Sequence, residues 1–198
     1  MKRFYALMVS VVVAAVGFTG CSKVPQAEID AAKTAIEAAK KAEANLYSAE
    51  KFNQAENTLN TAVAEIEKQK SAFALTRNYD EALKQLQAAT AGANEAAAAA
   101  AGEKEKVKAQ VEAAQVEAQG ALQQARDLLQ KAPKGKEGKE ALVAISNDLA
   151  TVESALAETA ASAGNGDYIG ARDKLTASKE KIAAITEELN NAIAKVKK

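Results

Sequence analysis

Apolar residues recur at alternating steps of three and four along most of the chain. This spacing is typical of amphipathic α-helices that present one apolar seam. The first run after Ala27 has one polar interruption at Glu43, and the second run has one at Gln69. The runs predict two helices, with seams at Ile29, Ala32, Ile36, Ala39 and Leu46, and at Phe52, Ala55, Leu59, Ala62, Ile66 and Phe73.

The third run predicts one long helix. Asn78 and Glu81 have the spacing of a capping box that opens it. Gly102 costs about 1 kcal/mol inside a helix, but the surrounding Ala, Glu and Lys residues favour continuation. We therefore expect one helix from about Asp80 to Ala132, on the order of 80 Å long. Its seam is Tyr79, Ala82, Leu86, Ala89, Ala93, Ala96 and Ala100, then, shifted by about one residue, Val107, Val111, Ala114, Ala118, Ala121, Ala125 and Leu128.

Pro133, Gly135 and Gly138 end this helix. Two more runs, separated by "AGNGDY", predict an antiparallel hairpin because so short a connection places successive helices side by side. Their seams are Leu142, Ile145, Leu149, Val152 and Leu156, then Tyr168, Ala171, Leu175, Ile182, Ile185, Leu189 and Val196. The sequence predicts an all-α, elongated antiparallel bundle of about five amphipathic helices, one of them long. Its predicted parts are helical hairpins at 27–132, a linker at 133–139 and a C-terminal helical hairpin at 140–198.

The composition predicts closely packed helices. About a quarter of the residues are alanine, aromatic residues make up 4%, and tryptophan is absent. Alanine has the highest helix propensity but buries little apolar area. Helices with such narrow seams need neighbours to bury enough surface, which favours self-association.

Charge and residue types narrow the classes of function. Basic and acidic residues both number 26, and without Lys2 and Arg3 the net charge becomes about −2. This balance argues against a nucleic-acid partner, because phosphate neutralisation dominates such binding. The chain has no histidine and one cysteine, so the imidazole general base, the Cys/His nucleophile pair and zinc or haem sites of the ordinary kinds are missing. We expect no enzyme activity, no metal site and no small-molecule substrate.

The N-terminus has the pattern of a secretory leader. Lys2 and Arg3 precede an apolar stretch that is short for a membrane-spanning helix, followed by small residues and the only cysteine, Cys21. On these features alone, a plain signal with an incidental cysteine and an uncleaved anchor both stay open. Phe18-Thr19-Gly20-Cys21 resembles the lipobox of bacterial lipoproteins.

The lipobox resemblance implies a signal peptide at 1–20 that is cleaved between Gly20 and Cys21, and a lipid-anchored tether at 21–26. It implies diacylglycerol on the Cys21 sulfur and an N-acyl chain on the new terminus. Ser22 after the cysteine implies sorting to the outer membrane, facing the periplasm. The membrane is then a partner of the chain through its lipid anchor.

Two further resemblances concern the helices. The segment from Ala27 to about Ala101, with "NLYSAEKF" and "NYDEAL", is similar to an uncharacterised family of alanine-rich bacterial lipoproteins, a resemblance that implies no activity. "NYDEAL" and "GDYIGARDKL" resemble the start of the second helix of tetratricopeptide repeats. Tyr79 and Tyr168 head the two segments, and we expect both to pack on the seam with their hydroxyl groups at its rim.

The C-terminus "NAIAKVKK" ends in Lys198. The murein lipoprotein of enteric bacteria, also small and helical, is joined to peptidoglycan through its terminal lysine, but lysine at a helix C-terminus also fits the macrodipole. The leading hypothesis is a non-enzymatic, lipid-anchored periplasmic protein with a structural or interaction role at the outer membrane. The alternatives are a tetratricopeptide-like adaptor for an envelope protein and a peptidoglycan tether through Lys198.

Overall fold

The computed structural model describes residues 23–133, 135 and 138–196, and these contain helices but no strand. The all-α prediction is therefore confirmed. A 3-10 turn at Ala74–Thr76 lies between the third and fourth helices. The six α-helices are α1 (Gln26–Lys41), α2 (Ala44–Tyr47), α3 (Ala49–Ser71), α4 (Asp80–Lys131), α5 (Lys139–Gly164) and α6 (Tyr168–Val196).

The first bundle contains α1, α2, α3 and the first half of α4. The short turn between α3 and α4 makes them antiparallel, and an ion pair joins Lys51, near the start of α3, to Glu95. Glu43, just after α1, contacts Lys104, and α1 packs on the half of α4 that precedes Lys104. Helix α1 therefore runs parallel to α4. The buried core is Ile29, Ala32, Ala35, Ile36, Ala39, Ala44, Phe52, Ala55, Leu59, Ala62, Ile66, Tyr79, Ala82, Leu86, Ala89, Ala93, Ala96 and Ala100.

The second bundle contains the remaining half of α4 together with α5 and α6. Helix α5 follows α4 after a short connection and pairs with it through Arg126 and Glu153, so it is antiparallel to α4. Helix α6 is parallel to α4, because its Tyr168 lies at Lys104 and its Lys179 at Glu117. Helices α5 and α6 are therefore antiparallel to each other. The buried core is Val107, Val111, Ala118, Leu122, Ala125, Ala132, Ile145, Leu149, Val152, Leu156, Ala171, Leu175, Ile182, Ile185 and Leu189.

Helix α4 is shared by both bundles and passes through Gly102 without a break. Its 52 residues span about 78 Å at 1.5 Å per residue, as the seam predicts. We call the side of the molecule with the start of α1 and the turn 72–79 the proximal end. The end with the α4–α5 connection and the last turn of α6 is the distal end.

Two predicted seam residues are wrong, because Leu46 and Phe73 are exposed. Helix α1 ends at Lys41, since Glu43 adopts a left-handed backbone with φ of 59°. The chain is thereby reoriented, so that Ala44 is buried and Tyr47 half-buried. Helix α3 ends at Ser71, so Phe73 lies in the turn beyond the seam.

Two local predictions at the start of α4 are also wrong. The Asn78 Oδ1 accepts a hydrogen bond from the N–H of Asp80 at 2.7 Å, and no capping box forms with Glu81. The Tyr79 side chain is only 4% exposed, and its hydroxyl has no hydrogen-bond partner among the described residues. This hydroxyl is therefore inside the core and not at its rim.

Candidate functional site

The residues that the sequence assigns to lipidation, cleavage and wall attachment lie outside the described part of the chain. Gly20 and Cys21 precede Lys23, where the description starts, and Lys198 follows Val196, where it ends. Their assignments stay predictions. Val24 packs against the first core and α6 runs to the distal end, so the described chain leaves the body at opposite ends.

A cluster of charged and aromatic side chains lies between the two cores. Lys104 Nζ donates a hydrogen bond to Glu43 Oε2 at 2.5 Å. The same ammonium lies 5.8 Å from the centre of the Tyr47 ring and 6.0 Å from that of Tyr168, within the range of cation–π attraction. We call these four residues the waist cluster. It brings the end of α1, α2, the middle of α4 and the start of α6 together at one point.

Two left-handed backbone positions arrange the cluster. Glu43 has φ of 59°, a conformation that costs roughly 1–2 kcal/mol for a residue with a Cβ. On the opposite side Gly166 has φ of 87°, which glycine adopts without that cost. The Asp167 Oδ1 accepts a hydrogen bond from the N–H of Gly170 at 2.9 Å. This bond satisfies one of the free N–H groups at the start of α6 and helps to fix Tyr168 in place.

The electrostatics of the waist cluster favour a stable cation. The hydrogen bond from Lys104 to Glu43 raises the pKa of Lys104 above its usual value, against the opposing effect of burial. Burial raises the pKa of Tyr47, and the nearby Glu43 carboxylate raises it further. Lys104 is therefore charged and Tyr47 neutral at physiological pH. A protonated lysine that already has a carboxylate partner is neither a nucleophile nor a free anion site.

The described residues outside the waist cluster offer no metal-binding site. Within residues 23–133, 135 and 138–196, no group of three or more metal-binding side chains occurs. No helix in that part of the chain is long and apolar enough to cross a membrane. An open groove of about 650 Å³ is lined by amide, hydroxyl and carboxylate side chains, among them Asn53, Asn57 and Gln85. Such an open groove is unlike the enclosed clefts that hold small ligands.

The waist cluster is not among the predicted features, although the sequence contains signals for it. Glu43 is the one polar residue on the first seam, and Lys104 falls where the α4 seam shifts register. Two polar residues on seams that otherwise bury apolar side chains indicate a polar layer. Pairing them requires knowledge of which helices are neighbours, since they lie 61 residues apart.

The chain matches no protein-family model, no curated protein and no solved structure.

Proposed function

We propose that this protein is a lipid-anchored spacer of the bacterial envelope. It is an outer-membrane lipoprotein that faces the periplasm, has no catalytic activity, and serves a structural or protein-interaction role. The observation that carries the proposal is the unbroken α4, which joins two bundles into a body about 78 Å long. The described chain leaves this body at opposite ends, as a spacer with one anchored end requires.

The anchor rests on the sequence. Cys21 follows Gly20 directly after the apolar stretch, in the pattern of a lipobox. Each buried methylene contributes about 0.8 kcal/mol to membrane affinity, and stable anchoring takes more than one acyl chain. Diacylglycerol and an N-acyl chain on Cys21 meet that requirement.

Contacts between neighbouring helices support the role of a spacer. Several of its surface ion pairs connect adjacent helices, as Lys51 with Glu95 and Lys181 with Asp148 do. The waist cluster joins the two bundles at the level where α4 lacks buried apolar residues, between Ala100 and Val107. These contacts oppose bending at the thinnest part of the core.

Mass spectrometry of the mature protein from fractionated membranes tests the proposal. We expect a chain that begins at Cys21 and carries acyl groups, recovered with the outer membrane. Labelling with a palmitate analogue is expected in wild type and in Ser22→Ala but not in Cys21→Ala. Equal labelling of Cys21→Ala, or recovery of the unlipidated full-length chain from the cell interior, contradicts the anchor.

A second candidate function is the peptidoglycan tether through Lys198. It is favoured by the course of α6, which runs parallel to α4 and ends at the distal end, away from the start of α1. Lysozyme digestion of the envelope is expected to release a muropeptide-linked form. That form is lost in Lys198→Arg and retained in the matched control Lys197→Arg. A protein that is entirely free in detergent excludes the tether.

Crosslinking in intact envelopes distinguishes the adaptor from the spacer and from the peptidoglycan tether. A spacer without a protein partner gives only self-crosslinks or none. A reproducible crosslink to one envelope protein favours the adaptor.

A further inference from the structure

The turn 72–79 presents two large apolar side chains to solvent. Phe73 is 70% exposed and Leu75 is 88% exposed. The other large exposed apolar residues of the described chain, Leu46, Val116 and Val143, are distant from one another in sequence. Single exposed apolar residues are common, but two so close together at the tip of a helical hairpin indicate a contact surface.

The backbone of this turn is held firmly by polar contacts. Arg77 donates from Nη2 to the carbonyl of Lys70 at 2.8 Å and from Nε to that of Ala72 at 3.1 Å. Gln69 Oε1 accepts from the N–H of Asn78 at 3.1 Å. Carbonyls at the end of α3 are thereby satisfied. Phe73 and Leu75 are consequently exposed on an ordered turn.

The position of the turn relative to Cys21 follows from helix lengths. The contact of Glu43 with Lys104 sets the end of α1 at the level of Lys104. From there to Asp80 α4 covers about 36 Å, whereas the 16 residues of α1 cover about 24 Å. The start of α1 therefore lies about 12 Å short of the turn. Val24 packs on the first core beside the start of α1, and the three residue steps from Val24 back to Cys21 span up to about 11 Å when extended, so Cys21 can come close to the level of the turn.

We infer that the turn 72–79 is a second membrane contact, in which Phe73 and Leu75 enter the bilayer interface beside the acyl chains of Cys21. This inference rests on the proposed lipid anchor. The anchor alone leaves the body free to tilt, whereas two contacts at the proximal end direct the long axis away from the membrane. The nearest charges on α3 are paired, Lys68 with Glu65 and Lys70 with Glu67.

A lipid surface fits this tip better than a second copy of the chain. A stable protein interface buries about 1,200–2,000 Å² in total, far more than two side chains on one turn provide. An anchored protein is already at the bilayer, so a small apolar contact is enough to orient it.

Tryptophan fluorescence tests the inference, because the chain has no tryptophan of its own. Phe73→Trp is the probe, and Val116→Trp, equally exposed at 70% but on the second half of α4, is the matched control. Leu75→Trp gives an independent reading. The full lipidated chain is reconstituted into phospholipid vesicles with either ordinary or brominated acyl chains, and circular dichroism checks the fold. We expect brominated lipid to quench the fluorescence of both turn variants and to leave that of Val116→Trp unchanged, with blue-shifted emission only in the two turn variants.

Flotation of the same vesicles separates this inference from the proposed function. If the wild-type protein does not float with the lipid, the anchor is wrong and this inference fails with it. If it floats but brominated lipid quenches the fluorescence of neither turn variant, the turn does not contact the membrane and the anchor stands. A blue shift that depends on protein concentration and not on bromine assigns the turn to a second copy and overturns the membrane contact.

Discussion

The two bundles lie on the same helix but are packed differently. In the first core, eleven of the eighteen buried residues are alanine, whereas in the second core four of fifteen are. Alanine lets helices approach closely, as shown by Gly92, where an added Cβ would lie only 3.4 Å from the Ala55 Cβ. The second core fills its space with Leu, Ile and Val side chains. Each large side chain there contributes more apolar area than an alanine does.

Both kinds of packing occur along the α4 seam, with the waist cluster between the two cores. Between Ala100 and Val107 α4 contributes no buried residue, and Tyr47 packs against both cores from outside. A change in one core is therefore expected to have its main effect in its own bundle.

Truncation of one large core residue in each bundle tests this separation most strongly. Leu86→Ala in the first core and Leu175→Ala in the second each remove a fully buried side chain. Each is expected to lower the free energy of unfolding by about 2–5 kcal/mol. Hydrogen exchange is expected to quicken in α1 and α3 for Leu86→Ala, and in α5 and α6 for Leu175→Ala. Equal loss of protection in both bundles contradicts separate cores.

Gly102→Pro is expected to disconnect the bundles at a cost of about 3 kcal/mol, because proline removes a helix hydrogen bond and clashes with the preceding turn. The matched control is Gly102→Ala, which meets no atom within 4 Å and is expected to add about 1 kcal/mol. In thermal unfolding, proline should split the transition into two and alanine should raise the midpoint. A single unchanged transition in Gly102→Pro opposes the account.

Enlarging one alanine of the first core tests its close packing. Ala93 is fully buried, and Ala93→Leu is expected to cost about 1–3 kcal/mol because the core has no room for the side chain. Ala91→Leu, at an exposed position of the same helix, is the control and should stay within about 0.5 kcal/mol. Denaturant titration measures both. A neutral Ala93→Leu shows that the helices are not tightly apposed.

The sequence predicts the helices well because their seams are local patterns. The Ala and Leu spacing after Asp80 is enough to predict a long helix through Gly102, and the structure contains it. The ends of α1 and α3 are not set by such local patterns. They depend on the left-handed backbone of Glu43 and on the Arg77 contacts with the end of α3. The waist cluster likewise needs three segments far apart in sequence to meet.

Removal of the buried hydroxyl of Tyr79 is expected to stabilise the first bundle. This hydroxyl has no hydrogen-bond partner among the described residues, and an unsatisfied buried polar group costs about 1–3 kcal/mol. Tyr79→Phe should therefore raise the free energy of unfolding by about 1 kcal/mol. Tyr168→Phe keeps the aromatic face toward Lys104 and should change the free energy of unfolding by less than about 0.5 kcal/mol. Destabilisation by Tyr79→Phe contradicts an unpartnered hydroxyl.

The smallest expected effect is the pH dependence of the waist cluster. Lys104 and Tyr47 both have a raised pKa in the folded chain. Their contribution to stability is complete below the unfolded values of about 10 and is lost as the pH rises through the folded values. The denaturant midpoint should fall above about pH 10, and less steeply in Glu43→Gln. An equally steep fall in Glu43→Gln shows that other groups dominate.

The central claim is that α4 stays continuous and connects the two bundles as one rod. Spin labels at Gln87 and Gln119, both exposed on α4, test it by pulsed dipolar spectroscopy on a chain whose Cys21 is acylated or replaced by serine. A straight helix separates these two Cα atoms by about 48 Å. We predict a narrow distance distribution near that value. A broad distribution, or one centred well below it, contradicts a continuous rod.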